Sequence, residues 1–149
     1  MTTAKEVAKY IIKSLATDNL KLQKLLYYSQ GVHLVLYDKK PLFDDPIEAW
    51  DYGPVIPSVY TEYKKHGFDI ILPEDDKPSA LTLKEIKAID MTLECFGKLS
   101  GTSLLNQTHS EPPWKDAYCS SKPSNVIPIK TIYTFFKKNL NFTEDDFKV

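Results

Sequence analysis

Arginine is absent from the sequence: all nineteen basic residues in its 149 positions are lysines. Lysine binds a phosphate as a point charge, but it lacks the planar fork with which arginine reads guanine edges or clamps a carboxylate. The sequence therefore excludes an arginine finger and arginine-based readout of DNA bases. The net charge is only -1, whereas nucleic-acid-binding domains are usually strongly basic. We therefore do not expect a nucleic-acid partner.

Cysteine is also scarce, and the potential metal ligands are scattered. Cys95 and Cys119 are the two cysteines, which make neither a disulfide framework nor a zinc motif. The histidines, His33, His66 and His109, include no pair three or four residues apart, so none is spaced to share a metal ion on one helix face. No glycine-rich phosphate loop is present either. We therefore expect no bound metal and no cofactor.

Long apolar runs are missing as well. No stretch approaches the roughly 18 apolar residues that cross a bilayer. The first ten residues, MTTAKEVAKY, lack the apolar core of a signal peptide. Sparse cysteine is typical of a reducing compartment. These features predict a cytoplasmic protein that makes no membrane contact.

The apolar residues that are present follow a helical period. Thr3 with Glu6, and Thr82 with Glu85, have the spacing of capping boxes. Apolar residues recur at helical spacing after both, again from Leu22 onward, and once more after Pro128. Shorter helices are predicted after Pro57 and over residues 103–108, and WKDAY, beyond a Pro-Pro interruption, is expected to be another turn or helix. The SSKPSNV segment before the last helix is expected to be a loop.

The predicted fold class is mainly α, a compact single domain with a small β-hairpin or irregular insertion around residues 41–56. Prolines and an Asp-Asp pair interrupt the helical pattern in that insertion. Leu42 with Phe43, and the segment 47–50, are its candidate strands. We expect residues 1–140 to form the domain. Residues 141–149 have no period and are expected to be a mobile C-terminal tail.

The stretch AWDYGPVIPSVYTEYKKHG, residues 49–67, has the densest aromatic content near turns. Its aromatic residues are Trp50, Tyr52, Tyr60 and Tyr63. Such side chains combine a large apolar area with a polar group and are enriched at protein interfaces. They are therefore candidate contact residues, with the alternative that some of them only cover the core.

The segment HSEPPW has the same two interpretations. Its prolines fix a turn, and His109 and Trp114 either cap the core or project as further contact residues. An enzyme is a third possibility, with Cys119 as nucleophile, His109 as base and Asp116 to orient it. No nucleophile motif surrounds Cys119, and such groups are defined by geometry rather than by proximity in sequence. We therefore predict no catalytic residue.

Several motifs in order resemble the Panacea domain of SocA-like antitoxins, a family that also includes GepA-like, phage-associated proteins. The matching elements are KLQKLLYYSQ at 21–30, PLF at 41–43, EAW at 48–50, GPV at 53–55, a Pro-x-x-Tyr helix start at 57–60, and TH and PW at 108–109 and 113–114. The resemblance extends from residue 4 to about residue 119.

The resemblance implies a non-enzymatic antitoxin. Panacea domains neutralise toxins of several unrelated types, usually by direct protein–protein binding, and one member instead delivers its toxin to a protease. The expected partner is therefore a cognate protein toxin encoded by an adjacent gene. Two alternatives remain: a proteolytic adaptor or phage-encoded regulatory binding protein, and, from another class, a small hydrolase-like enzyme that uses His109.

Overall fold

The computed structural model describes residues 1–74, 77 and 79–142, and most of these residues are helical. The helices are α1 (Ala4–Ser14), α2 (Asn19–Leu36), α3 (Pro57–Tyr63), α4 (Leu83–Phe96), α5 (Gly101–His109), α6 (Pro112–Ala117) and α7 (Ile129–Asn139), with a 3₁₀ turn at Lys64–His66. The strands are β1 (Glu48–Trp50), β2 (Gly53–Val55) and β3 (Asn125–Val126). The predicted fold class, mainly α with a small hairpin, is confirmed.

Helix α2 is the centre of the fold. It packs against α1, α3, α4, α5 and α7, and it is buried without interruption from Leu22 to Leu36. A helix surrounded in this way keeps no solvent face. Its polar residues must therefore find partners inside the protein.

Two glutamines of α2 attach the insertion to the central helix. Gln30 accepts the amide of Leu42 at 2.6 Å and donates to the carbonyl of Phe43 at 2.8 Å. Two turns earlier on the same helix, Gln23 accepts the amide of Ile56 at 2.9 Å. Because the side chains replace missing strand partners, both ends of the 41–56 insertion are fixed without a longer sheet.

The insertion forms a three-stranded antiparallel sheet in the order β2-β1-β3. Trp50 lies opposite Gly53 across the hairpin, and Ala49 lies opposite Asn125 on the other side. Two expectations need correction here. Strand β3 lies where a loop was predicted, and Phe43 forms an isolated parallel bridge to Thr2 rather than part of a hairpin strand. Both pairings join distant parts of the chain, which local patterns do not reveal.

The helix starts are mostly as predicted. The capping box at Thr82 and Glu85 is complete, with bonds of 3.2 and 2.9 Å. At Thr3 the hydroxyl accepts the Glu6 amide at 3.3 Å, while the Glu6 carboxylate accepts from Lys9. Helix α6 begins at Pro112 rather than beyond the prolines, because the first turn of a helix needs no amide partner.

The C-terminal end of the described chain lies against the helical core. Phe142 is half-buried against a small cluster of Val32, Leu36 and Ala88. The rest of the segment expected to be a mobile tail, residues 143–149, lies outside the described residues. Within the described ranges, no helix has the length and apolar character needed to span a membrane.

Candidate functional site

The turn of the β1–β2 hairpin and the end of α3 enclose a depression of about 290 Å³ over the first turns of α2. Trp50, Tyr52, Tyr60 and Phe68 supply its aromatic side chains, and Lys24 of α2 is also among its lining residues. These five residues define the aromatic groove. Three of the four aromatic residues predicted from residues 49–67 therefore lie together.

The rim of the aromatic groove is unusually exposed for such large apolar groups. Tyr52 is 70% and Phe68 is 85% exposed. Trp50 and Tyr60 are half-buried and meet edge to face with ring centroids 5.0 Å apart. Tyr63 is only 4% exposed and belongs to the core. The structure thus divides the predicted cluster into surface residues and one core residue.

Phe68 is a groove residue that sequence reasoning missed. It follows Gly67, which ends the 3₁₀ turn after α3 and has a φ of 57°. The next exposed apolar residues, Ile70 and Leu72, alternate with buried Ile71. In the sequence, Ile70, Ile71 and Leu72 form an unbroken apolar run, so no alternation marked Phe68 as an exposed residue.

Gly53 allows the hairpin to lie directly on α2. Its φ of 102° is one that side-chain-bearing residues rarely adopt. A Cβ atom at this position would stand 2.9 Å from Lys24 Cε and 2.9 Å from Thr108 Oγ1. The glycine therefore brings the backbone of the groove wall into contact with both α2 and α5.

Lys24 is completely enclosed at this contact. Its exposed fraction is 0%, and its Nζ donates to the carbonyl of Pro54 at 3.2 Å. Burial lowers the pKa of the Lys24 ammonium to about 7, and the charge of Asp18 acts in the opposite direction. The sequence placed Lys24 in a motif but gave it no role, because burial on every side of α2 depends on the tertiary fold.

His109, Trp114 and Tyr118 form a second cluster, the aromatic stack. The rings of His109 and Trp114 lie 4.1 Å apart at 23°, and those of Trp114 and Tyr118 lie 4.5 Å apart at 18°. Tyr118 donates its hydroxyl proton to Asp51. Trp114 Nε1 donates to the carbonyl of Trp50 at 2.8 Å. The two predicted candidate segments, around 49–67 and 109–114, are therefore neighbours.

A buried carboxyl group attaches the aromatic stack to the central helix. Glu111 accepts hydrogen bonds from the hydroxyls of Tyr27, at 3.0 Å, and Tyr28, at 2.8 Å. Gln107 donates to the same Tyr28 hydroxyl at 2.9 Å. Burial raises the pKa of Glu111 to about 7, although these hydrogen bonds act in the opposite direction. Sequence reasoning missed Glu111, since its partners lie more than eighty residues away.

No hydrogen bond within the described part of the chain joins the three residues weighed as a possible catalytic group, His109, Asp116 and Cys119. His109 stacks on Trp114, and its Nε2 is buried with no hydrogen-bond partner among the described residues. Cys119 is exposed and lies 3.1 Å from Ser121 Oγ, a contact that lowers the pKa of the thiol. Among residues 1–74, 77 and 79–142, no three His, Cys, Asp or Glu side chains cluster to hold a metal ion.

Comparison with known proteins agrees with the resemblance seen in the motifs. Residues 22–115 match the family model described as "Antitoxin SocA-like, Panacea domain". The chain therefore belongs to the Panacea-domain family of SocA-like antitoxins. It is similar to Antitoxin SocA of Caulobacter vibrioides (strain NA1000 / CB15N), with 34% identity over an alignment of 129 positions; the match covers 74% of this chain and 68% of that protein. No solved structure gives a significant match.

Proposed function

We propose that this protein neutralises a cognate protein toxin by direct binding, and that the aromatic groove is the centre of the interface. Family membership supports the class of function. The observation that supports the location is the exposure of Tyr52 and Phe68 beside one depression. Aromatic side chains in such positions usually contribute most of the energy of a protein–protein contact.

The apolar surface continues beyond the groove. Ile70 and Leu72 are also exposed, two and four residues beyond Phe68 in the sequence. Contiguous exposed apolar surface on a protein with a well-packed core usually marks an interaction site. Ile70 and Leu72 would therefore extend the interface beyond the groove.

The groove is held in its shape before any partner arrives. Gln23 bonds the start of α3 at Ile56, Lys24 bonds β2 at Pro54, and Trp114 bonds β1 at Trp50. A surface fixed in this way loses little conformational entropy on binding, which favours affinity. Under this proposal the protein is not an enzyme, needs no cofactor, and acts in the cytoplasm without contact with nucleic acid or membrane.

Co-expression tests the proposal. Each open reading frame adjacent to the gene is induced alone and together with this chain, and growth is measured. We expect one product to arrest growth alone and not together with the unchanged chain. Phe68→Ala should restore the arrest. Leu83→Ala, which changes a side chain that is 73% exposed on α4, should still neutralise.

Experiments with purified components and with protease-deficient strains then separate direct binding from delivery to a protease. Direct binding predicts a stable complex and neutralisation that persists in strains lacking the major cytoplasmic proteases. Neutralisation that disappears in one such strain, with toxin levels rising, would instead establish the adaptor alternative. Absence of any toxic adjacent product that the chain neutralises would contradict the proposed function.

A further inference from the structure

We propose that the groove between α6 and α7 is a second contact region for the toxin. It takes an acidic segment with two carboxylates about 12 Å apart, matching two lysines on one face of α7, and an apolar side chain between them. This inference rests on the proposed function and names the chemistry that the partner must present. The α6–α7 groove is defined here by six of its lining residues: Pro112, Asp116, Lys130, Thr134, Phe135 and Lys138.

The α6–α7 groove is open to a partner. Its volume is about 520 Å³, and Lys130 and Lys138 are exposed. Phe135 is half-buried and meets the core residue Phe136 edge to face, with ring centroids 5.3 Å apart. The groove therefore combines a fixed apolar surface with charged groups that lie in solvent, where a partner can reach them.

The two lysines lie on one face of α7. Lys130 and Lys138 are eight residues apart with Thr134 midway, and all three line the same groove, as expected for residues spaced by four in a helix. At a rise of about 1.5 Å per residue, the two lysine positions are about 12 Å apart along the helix axis. Phe135 lies between them in the sequence and in the groove. The surface thus presents a cation, an apolar group and a second cation in order.

The ammonium groups are the donors that this face keeps for a partner. The hydroxyls of Thr131 and Thr134 also line the groove, but they donate to the carbonyls of Pro128 and Lys130 at 2.8 and 2.9 Å. Within the described residues, neither Lys130 nor Lys138 forms an ion pair. A carboxylate of the toxin therefore meets charges that no neighbouring acid already neutralises.

The charge of the groove favours an acidic segment. Helix α7 contains Lys130, Lys137 and Lys138 and no acidic residue. Among the described residues that line the groove, two are lysines and the single acid is Asp116 of α6. The balance is therefore positive along the α7 side. Complementary charge of this kind speeds encounter and selects the partner's orientation.

Helix α6 borders both contact regions. Trp114 belongs to the aromatic stack and bonds Trp50 of the aromatic groove. Pro112 and Asp116, each two positions from Trp114, line the α6–α7 groove instead. A helix is about 10–12 Å across with its side chains, a width that a protein interface of ordinary size spans. One toxin molecule can therefore contact both regions.

The test measures affinity by calorimetry for the toxin that the co-expression experiment identifies. Lys130→Glu and Lys138→Glu reverse the groove charges. Lys137→Glu is the matched control, because Lys137 is an exposed lysine in the same last turn of α7 and is not among the groove's lining residues. We expect each groove variant to bind about tenfold or more weakly, because like charges then face each other. Lys137→Glu should bind within about threefold of the unchanged chain, as for a site without shared partners.

The toxin side provides the second half of the experiment. Each aspartate and glutamate of the toxin is changed in turn to lysine. One substitution should weaken binding to the unchanged chain and restore binding to Lys138→Glu, as expected for two groups in direct contact. Such recovery cannot come from a loss of folding, so it decides the matter even if Lys138→Glu lowers the melting temperature. Failure of every toxin substitution to restore binding would overturn the inference.

The chain's own acidic residues near its C-terminus are the alternative occupant. The variant Glu144→Gln/Asp145→Asn/Asp146→Asn removes their charges from the full chain. We expect its toxin affinity to lie within about threefold of the unchanged chain. An affinity about tenfold or more higher, which disappears when Lys138→Glu is added, would assign the groove to the chain's own carboxylates and overturn the inference.

The outcomes separate this inference from the proposed function. Affinities of Lys130→Glu and Lys138→Glu within about threefold of the unchanged chain, with binding lost in Tyr52→Ala, would overturn the second contact region and leave the aromatic groove in place. A loss in Lys137→Glu as large as in Lys138→Glu would also overturn it, because the attraction would then be general to α7. Absence of any neutralised toxin would contradict the proposed function and, with it, this inference.

Discussion

Trp114 Nε1 donates a 2.8 Å hydrogen bond to the carbonyl oxygen of Trp50. This bond joins α6 to β1 across 64 positions of the chain and connects the aromatic stack to the aromatic groove. The shape of the groove wall therefore depends on a residue outside it. A toxin that contacts one of the two clusters is placed to contact the other.

Trp114→Phe should lower the free energy of unfolding by about 1–3 kcal/mol, since it leaves a partly buried carbonyl without its donor. Thermal or urea unfolding measures this loss. Trp50→Phe is the control, because Trp50 Nε1 donates to the Glu48 side chain rather than between elements, and its effect should be smaller. A Trp114→Phe protein as stable as the unchanged chain would show that the bond contributes nothing to the fold.

Gly31→Ala should destabilise the protein, although alanine is the better helix former by about 1 kcal/mol. A Cβ at this position would lie 2.5 Å from Phe136 Cδ2, inside the core. Overpacking of this kind costs about 1–3 kcal/mol. Urea unfolding of Gly31→Ala, compared with Gly31→Ala/Phe136→Leu, measures it: the second change should recover part of the loss at Gly31. An increase in stability for Gly31→Ala alone would contradict the close packing.

Glu111 should make the protein less stable as the pH rises from about 4.5 to about 7. Its pKa is raised to about 7 in the folded state, so folding favours the protonated form. The stability that this group contributes is complete below the unfolded pKa and is lost as the pH rises through the folded value. Glu111→Gln keeps an acceptor without the charge and should flatten this part of the profile. An unaltered profile would show that Glu111 does not titrate in this range.

Lys24 should act in the opposite direction at higher pH. Its pKa is lowered from 10.5 to about 7 on folding, so its contribution to stability is lost as the pH falls through about 7 and is complete above about 10.5. Stability should therefore rise over that interval, and Lys24→Met should remove the rise. At pH 7 we expect Lys24→Met to be more stable by about 1–4 kcal/mol, as when buried charges are replaced by apolar groups. Lower stability of Lys24→Met at pH 7 would show instead that the hydrogen bond to Pro54 outweighs the cost of burying the ammonium.

The parts of the fold that the sequence predicted are those that local chemistry determines. Thr82 and Glu85 form their capping box, and Pro57 begins α3. Each of these features depends on residues close in sequence. Features of this kind can be predicted from the sequence because they need no distant partner to form.

The parts that were missed depend on distant partners. Strand β3 forms by pairing with β1. The buried carboxylate of Glu111 is satisfied by hydrogen bonds from the hydroxyls of Tyr27 and Tyr28. Lys24 is enclosed because helices and a hairpin surround α2 on all sides. For the candidate site, the sequence therefore predicted aromatic residues, because their type suggested an interface. It gave no indication of the buried Lys24 beneath them.

The most direct test of the account is the affinity of Tyr52→Ala for the neutralised toxin, measured together with its stability. Tyr52 is 70% exposed, so the account predicts a free energy of unfolding within about 0.5 kcal/mol of the unchanged chain and binding weaker by about 2 kcal/mol. Tyr63→Ala, at a core position of the same segment, should instead lose about 3–5 kcal/mol of stability. Toxin affinity within error of the unchanged chain for both Tyr52→Ala and Phe68→Ala would contradict the account and place the interface outside the aromatic groove.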